Sequence, residues 1–337
     1  MSELRWHPVL REWVITATHR QERTFLPPPD YCPLCPTKPG GFATEVAEPT
    51  YEIVAFDNRF PSLRRDAPEP AVEPTPFSPV RRAQGVCEVI LYTPEHSGSL
   101  TSRSVDDIEK LIYVWTDRFQ QLSALEYVKY VFIFENKGQV IGVTIDHPHG
   151  QIYAYPFIPP MAARELESAR LHHQEHGSCL FCDLLAHELA DGRRIVAVNE
   201  SFAAVIPFYA RYPYEVHVTS RRHLGALPDL TAEEKRDLAG ILKTLLLKYD
   251  NLWGISMPYM MVMHPRPSDG GAYDYYHFHI EFYPPHRTRD KLKYLAGSES
   301  GAGVFINDTL AELKAEELRA AAPATDGEGR LVDVLPG

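Results

Sequence analysis

The stretch TIDHPHGQIYAYPF, residues 144–157, places a histidine on each side of a proline and continues with Gly150 and Gln151. Proline restricts φ and removes a backbone donor, so Pro148 holds His149 in a fixed direction relative to His147. A second His-x-His, HFH at 277–279, precedes another run of β-favouring residues. A binding loop, a metal site and a covalent catalyst are all compatible with the first stretch alone.

The same series of sequence features precedes each of these two motifs, and this internal repeat is the strongest indication of how the chain is organised. Each half contains a C-x2-C pair, two β runs, a helical pattern, a third β run and a closing His-x-His. The β runs are IVAFDNRF (53–60), VILYTPEH (89–96) and YVFIFE (130–135), then IVAVNESF (195–202), VHVTSRRH (216–223) and YMMVMH (259–264). We therefore predict an α+β fold of two homologous half-units, residues 1–165 and 166–337, with a mainly antiparallel sheet and helices packed on it.

One helical pattern is predicted in each half from apolar residues at helical spacing. The first follows Ser104, and the second follows Thr231, which forms a capping box with Glu234. The apolar positions are Val105, Ile108, Leu111, Ile112, Trp115, Phe119 and Leu122 in the first, and Leu238, Ile241, Leu242, Leu245 and Tyr249 in the second.

Composition limits the classes of partner. Hydrophobic residues make up 44% of the 337, and the formal net charge of −11 argues against a general nucleic-acid or membrane surface. The first residues, MSELRWHPVLREW, lack a signal-peptide apolar core, and no later run approaches the roughly 20 residues of a membrane span. We expect a cytoplasmic protein.

The cysteines and histidines form sets once the repeat is recognised. Thiolates with imidazoles suit tetrahedral zinc, and hard or borderline ligands such as carboxylates with histidine suit iron or zinc. The first-half set, which contains Cys32 and Cys35, is open to a simpler interpretation as a surface C-x2-C with His96 in a loop. The second is open to another, because CLFCDLLAHEL (179–189) is also typical of an amphipathic helix. The sets are Cys32, Cys35, His96 and His147 for zinc; Cys179, Cys182, His223 and His277 for a second zinc; and Glu165, His264, His279 and Glu281 for iron or zinc.

His147-Pro148-His149-Gly150-Gln151 resembles the active-site motif of the galactose-1-phosphate uridylyltransferase family, a branch of the histidine-triad superfamily. The resemblance covers most of the chain. Further matching segments are FDNRF (56–60), TPEHS (93–97), FENKG (134–138), FYPP (282–285) and the early pair Arg20 and Arg23.

The resemblance implies an enzyme, a UDP-glucose–hexose-1-phosphate uridylyltransferase of galactose metabolism that works by a ping-pong mechanism. His149 would attack the α-phosphorus of UDP-glucose and expel glucose 1-phosphate, and galactose 1-phosphate would then take the uridylyl group. Gln151 would stabilise the phosphoryl oxygens without supplying a proton. The other implied substrate contacts are Arg20, Arg23, Phe56, Asn58, Asn136, Thr144, Lys293 and Glu299.

The resemblance also assigns the metals and a partner. It implies zinc at the first-half set and iron or zinc at the carboxylate set, although Glu281 stands where the family pattern HxHFYPP has histidine. It implies a homodimer. Two alternatives remain: an adenylyltransferase or sugar-nucleotide phosphorylase of the same superfamily, since the motif does not read the base, and a non-catalytic zinc-stabilised nucleotide-binding module.

Overall fold

A computed structural model describes residues 2–22, 27–28 and 31–321 of the chain. Among these residues, no helix is both long and apolar enough to cross a membrane. The strands are β1 (Ser2–His7), β2 (Glu12–Ala17), β3 (Val54–Asp57), β4 (Val80–Arg82), β5 (Val86–Leu91), β6 (Tyr130–Lys137), β7 (His149–Tyr155), β8 (Ile195–Val198), β9 (Phe202–Val205), β10 (Val216–Ser220), β11 (Tyr259–His264), β12 (His279–Tyr283), β13 (His286–Thr288) and β14 (Lys291–Leu292). The α-helices are α1 (Val105–Ser123), α2 (Pro160–His176), α3 (Leu180–Asp191), α4 (Ala232–Trp253) and α5 (Ala311–Ala320).

Nine strands form one sheet in the order β3-β5-β7-β6-β11-β12-β10-β9-β8. Neighbouring strands are antiparallel throughout, and β6 of the first half pairs with β11 of the second through Asn136↔Met260 and Phe134↔Val262. The order is mirrored about that junction, with β5-β7-β6 on one side and β11-β12-β10 on the other. The predicted α+β class with a mainly antiparallel sheet is confirmed.

The repeat is less regular at the outer strands than the sequence indicates. In the first half VAFD (54–57) forms β3 and pairs directly with β5, with Val54 opposite Leu91. In the second half the matching IVAV forms β8, and β9 lies between it and β10. In the second half the chain forms a further strand at Phe202–Val205, whereas residues 58–62 of the first half contain none.

The two predicted helices cover one face of the sheet and are capped as expected. Ser104 and Thr231 each accept a hydrogen bond from the backbone N–H three residues later, and Asp107 and Glu234 complete the two capping boxes. Both helices bury their apolar stripes in the principal hydrophobic core, which includes Trp115, Phe119, Leu242 and Tyr249 together with Ile90, Ile133, Met261 and Ile280 from the strands. The opposite face of the sheet is therefore the one available for chemistry.

Candidate active site and metal clusters

The backbone of two adjacent strands positions the His-Pro-His segment. His149 is the first residue of β7 and lies opposite Leu91 of β5, and Tyr92 N–H donates to the Pro148 carbonyl over 3.2 Å. The His149 Nδ1 lies 2.7 Å from the carbonyl oxygen of His147, so Nδ1–H donates there. This hydrogen bond selects the tautomer in which Nε2 carries the lone pair. The side chain is thereby oriented as a nucleophile would need to be.

His149 lies in the wall of a cavity of about 300 Å³ on the first half-unit. Five of the predicted substrate residues line the same cavity: Arg20, Phe56, Asn58, Thr144 and Gln151. Asn58 Oδ1 accepts the Phe60 N–H at 2.8 Å, which fixes that side chain at the cavity wall, and Arg20 donates to the Phe60 carbonyl at 2.8 Å. The cavity combines a cation, neutral donors and apolar walls, the mixture that a nucleotide requires.

The remaining predicted substrate residues lie elsewhere. Asn136 lines a second recess that shares His149 and Ile145 with the first cavity. Lys293 and Glu299 form an ion pair of 3.0 Å with each other but are absent from the described lining of both spaces. The pair lies past the end of β14, in the second half-unit. Arg23 lies outside the described residues.

The first cysteine–histidine set converges on one point. The ligand atoms of Cys32, Cys35, His96 and His147 all lie within 4.8 Å of one another. The His147 Nδ1 is 3.9 and 3.7 Å from the two sulfurs, and the His96 Nδ1 is 3.6 Å from Cys35 Sγ. Zinc–ligand lengths of about 2.0–2.3 Å give tetrahedron edges of roughly 3.3–3.8 Å, so the donor set fits zinc.

Hydrogen bonds behind His147 orient it toward the sulfurs. Its Nε2–H donates to the Thr93 carbonyl at 2.8 Å, with the Tyr51 hydroxyl 3.0 Å away, which leaves Nδ1 facing the thiols. Burial lowers the pKa of His147, and a neutral imidazole is the form that binds a metal. Burial and then the neighbouring Cys32 raise the pKa of Cys35 to about 11, an effect that a divalent cation would reverse.

The second cysteine–histidine set converges in the same way. The Cys182 Sγ is 3.5 Å from His223 Nδ1 and 3.3 Å from His277 Nδ1, and Cys179 Sγ is 4.0 Å from the latter. The Nε2 of His277 lies 2.7 Å from the Ser220 hydroxyl, which takes the place that a carbonyl has in the first set. The predicted amphipathic helix is also present: Cys179 caps α3, whose first turn contains Cys182. The two interpretations of CLFCDLLAHEL are therefore compatible.

The carboxylate–histidine set is buried on the second half-unit. Glu165, His264, His279 and Glu281 bring their ligand atoms within 4.8 Å of one another. The buried His264 Nε2 makes no hydrogen bond of good geometry, although Glu281 Oε2 lies 3.4 Å away, and two such donor atoms side by side suit a cation. Burial lowers the pKa of His264, but the Glu165 and Glu281 carboxylates more than compensate and raise it to about 9. The donors thus fit a borderline metal such as iron or zinc.

Two residues near these sites were missed by the sequence analysis. His217 on β10 lies opposite Glu281 in the strand register, and its Nε2 is 3.2 Å from that carboxylate. Aligning VHVTS against HIEFY as antiparallel partners would have found it. Glu45 lines the His149 cavity and pairs with Arg59 at 3.1 Å, a contact across 14 residues that include β3 and that no periodic pattern marks.

Comparison with known proteins assigns the chain to a family. Family models described as galactose-1-phosphate uridyl transferase, N-terminal domain and C-terminal domain, match residues 1–159 and 165–326. The Thermotoga maritima galactose-1-phosphate uridylyltransferase is 41% identical over 322 residues, covering 95% of this chain and 98% of its own. The Rattus norvegicus enzyme is 36% identical, covering 94% and 87%.

A solved uridylyltransferase structure superposes with a TM-score of 0.84 at 34% identity, covering 95% of this chain and 98% of that one. An Arabidopsis thaliana ADP-glucose phosphorylase shares the fold at 23% identity, with a TM-score of 0.71. Sequence identity, coverage and fold agree, and both half-units contribute to the match. The chain belongs to the galactose-1-phosphate uridylyltransferase family.

Proposed function

We propose that this enzyme transfers uridylyl between UDP-glucose and galactose 1-phosphate through a covalent uridylyl-His149 intermediate. The observation that carries the proposal is the His149 tautomer: Nδ1–H is held by the His147 carbonyl, and the ring lies in the wall of a cavity of nucleotide-binding character. A neutral imidazole fixed in this way is a competent nucleophile toward phosphorus.

The reaction balances in two displacement steps. In the first, His149 Nε2 forms a bond to the α-phosphorus of UDP-glucose, and the bond from that phosphorus to glucose 1-phosphate breaks. In the second, a phosphate oxygen of galactose 1-phosphate attacks the same phosphorus, the bond to His149 breaks and UDP-galactose forms. A sugar phosphate has a second pKa of about 6 and leaves without protonation, so Gln151 need not act as an acid.

The cavity residues take individual roles in this proposal. Gln151 and Thr144 donate hydrogen bonds to the diphosphate, and Arg20, with Arg23 by resemblance, supplies positive charge. Phe56 and Asn58 contact the uridine, and Asn136 reaches it from the adjoining recess.

We also propose that each cluster holds a metal: zinc at both cysteine–histidine sets and iron or zinc at the carboxylate set. In the first set, the metal would fix His147, whose carbonyl orients His149. The ion would supply folding energy, and its ligand His147 would hold the nucleophile through the backbone carbonyl. All five cysteines carry unpaired thiols, which suits the reducing cytoplasm.

We propose a homodimer in which Lys293 and Glu299 reach the sugar phosphate bound by a partner subunit. Lys293 and Glu299 are not among the described residues that line the His149 cavity of their own chain. The sugar-phosphate role that the resemblance implies for them would most simply be filled at the cavity of a second copy. The segment around the pair exposes apolar side chains, as interaction surfaces do. They are Tyr294, Leu295, Val304, Ile306, Leu310 and Leu313.

Intact-protein mass spectrometry after incubation with UDP-glucose and no acceptor tests the proposal. We expect one uridylyl group per chain, removed on addition of galactose 1-phosphate. His149→Ala should retain the fold and UDP-glucose binding but form no adduct, whereas His19→Ala, a histidine that does not line the cavity, should form it normally. An adduct in His149→Ala would overturn the assignment.

Repeating the experiment with ADP-glucose separates the two alternatives. An adenylyl adduct formed as readily as the uridylyl adduct would favour an adenylyltransferase or phosphorylase, and the absence of an adduct with either sugar nucleotide would favour a non-catalytic module. Neither alternative is supported by a feature of the cavity, and the phosphorylase shares only the fold. Uridylyl transfer is therefore the function that the site supports best.

A further inference from the structure

A carboxylate occupies a core position on β6. The residues Val131, Ile133 and Glu135 alternate toward the helical layer, and the first two belong to the principal hydrophobic core. Glu135 continues that row with 4% of its surface exposed. Burying a carboxyl group is costly unless it is hydrogen-bonded, so its presence here requires an explanation.

Two buried tyrosines satisfy the Glu135 carboxyl group. The Tyr92 hydroxyl donates to one oxygen at 3.2 Å and the Tyr259 hydroxyl donates to the other at 3.0 Å. Tyr92 follows β5 of the first half-unit, and Tyr259 begins β11 of the second. The carboxyl group thus joins the two half-units at the strand junction between β6 and β11.

The Tyr92 hydroxyl also lies against the active-site segment. A Cβ built at Gly150 would collide with Tyr92 Oη and would lie 3.3 Å from the Phe134 carbonyl. Gly150 directly follows His149, and the Tyr92 backbone N–H already holds the Pro148 carbonyl. Tyr92 therefore contacts the segment on both sides of the nucleophile, once through its backbone and once through its hydroxyl group.

We propose that Glu135 is a positioning residue for His149: by holding the Tyr92 hydroxyl, it fixes Tyr92 against Gly150 and so sets the direction of the neighbouring imidazole. The inference rests on the proposed function, in which His149 is the nucleophile. Reactive groups must be held within fractions of an ångström, and a displacement of about 1 Å can cost 100-fold in rate. Glu135 touches no reacting atom in this scheme and acts only through Tyr92 and Gly150.

The surroundings of Glu135 are compatible with a carboxyl group that stays near its ionisation midpoint. Burial raises the pKa of Glu135 to about 7, while the Tyr259 hydroxyl, Lys137 and the Tyr92 hydroxyl oppose the rise. Lys137 is itself paired with Asp250 of α4 at 3.1 Å. The recess that Glu135 lines contains the further titratable groups His96, Asp146, His147 and His149.

Three variants and a matched control test the inference, with the rate of adduct formation from UDP-glucose, the KM and the thermal midpoint measured for each. Tyr92→Phe and Glu135→Leu should slow adduct formation about 10- to 100-fold with KM nearly unchanged, because positioning affects the reactive geometry more than binding. Glu135→Gln keeps an acceptor for Tyr92 and should recover most of the rate. The control is Tyr249→Phe, which removes a buried hydroxyl that bonds the Tyr214 carbonyl at 2.8 Å, away from Gly150. It should lower the thermal midpoint to a similar degree and leave the rate unchanged.

Equal rates for Tyr92→Phe and Tyr249→Phe would overturn the inference, since both would then act only through stability. So would a Glu135→Leu variant that forms the adduct at the native rate. Failure of the proposed function is distinguishable, because the unsubstituted enzyme would then form no adduct at all.

Discussion

At the scale of single residues, the chemistry depends on which nitrogen of each histidine is held by the protein. His147 uses Nε2–H to reach the Thr93 carbonyl and presents Nδ1 to the thiols, whereas His149 uses Nδ1–H to reach the His147 carbonyl. The two rings therefore have opposite tautomers although one residue separates them. Gln151 lies two residues further along β7 and, by the strand period, on the same side as His149.

Gln151→His is expected to increase hydrolysis of the covalent intermediate about 10-fold or more, because an imidazole can act as general acid or base, and such groups contribute roughly 100-fold or more when well placed. The measurement is release of UMP from the isolated adduct without acceptor. Gln151→Met, which cannot transfer a proton, is the control and should release no more UMP than the unsubstituted enzyme. Identical rates for the two variants would contradict a proton-transfer role for the histidine.

At the scale of elements, the two C-x2-C pairs lie in different kinds of segment, a loop in the first half and a helix start in the second. In the first half Cys32 and Cys35 belong to a proline-rich loop that also forms an isolated bridge between Pro36 and Val46. In the second half Cys179 and Cys182 form the start of α3. The loop packs on the sheet through Leu34 and Val46 but lacks the regular backbone hydrogen bonding of a helix, so it should depend on its metal more strongly than the helix does.

Cys32→Ser is therefore expected to lower zinc content, thermal stability and transfer activity together, because metal binding energy contributes to folding and His147 directs His149. Cys182→Ser is the matched variant. It should remove zinc from the second site and reduce stability but keep most of the activity, since no residue of α3 is among the described residues that line the His149 cavity. Elemental analysis should find one zinc ion fewer in each variant than in the unsubstituted protein. Full zinc content in Cys32→Ser, with stability unaltered, would refute the first assignment.

At the scale of the whole molecule, the two half-units share one sheet but differ in what lies beside the second histidine of each His-x-His. His149 lines a cavity, whereas His279 is only 2% exposed. The Phe181 and His264 rings both stack on the His279 ring, with centroid distances of 4.7 and 4.8 Å. Glu281 occupies the place that Gln151 has in the first half, and a carboxylate there would repel phosphate and attract a cation.

The second half-unit is accordingly expected to be catalytically silent. Peptide mapping of the enzyme after exposure to UDP-glucose should find the uridylyl group on His149 and none on His279. A diphosphate cannot approach a buried imidazole that an aromatic ring covers. About one uridylyl group per chain would therefore support a silent second half-unit. Labelling of His279 in the His149→Ala variant would show that the second site retains nucleophilic activity.

The Glu135 carboxyl group at the junction of the half-units should make stability depend on pH. Burial raises the pKa of Glu135 from 4.5 to about 7, so between these values the folded state holds a proton that the unfolded state has lost. This contribution is present below about pH 4.5 and is lost as the pH rises through about 7. At about 1.4 kcal/mol per pKa unit, the loss is on the order of 3 kcal/mol.

Glu135→Gln, which does not titrate, should therefore gain stability relative to the unsubstituted protein between pH 5 and pH 8. Denaturant unfolding of both proteins at several pH values is the measurement, and the difference between them isolates this residue from the other titrating groups. A difference independent of pH would mean that Glu135 has an ordinary pKa.

Local patterns in the sequence were sufficient for the elements and the ligand sets. Apolar spacing and capping residues predicted α1 and α4 because such signals act within one or two helical turns. The repeat grouped the two cysteine–histidine sets because the same residue types recur in the same order in each half. The structure brings together both of these sets and the separate carboxylate–histidine set. The resemblance to the uridylyltransferase family, which the comparisons confirm, rested on ordered motifs of the same kind.

Only the tertiary structure decided how distant strands pair, and the remaining features depend on that pairing. The β6–β11 junction places Glu135 between Tyr92 and Tyr259, and the β10–β12 register places His217 beside Glu281. The position of β3 beside β5 likewise departs from the repeat. These contacts join residues far apart in the chain, where no periodicity links them. The sequence by itself therefore determined which residue types are present and their local geometry, and long-range strand register decided which of them meet.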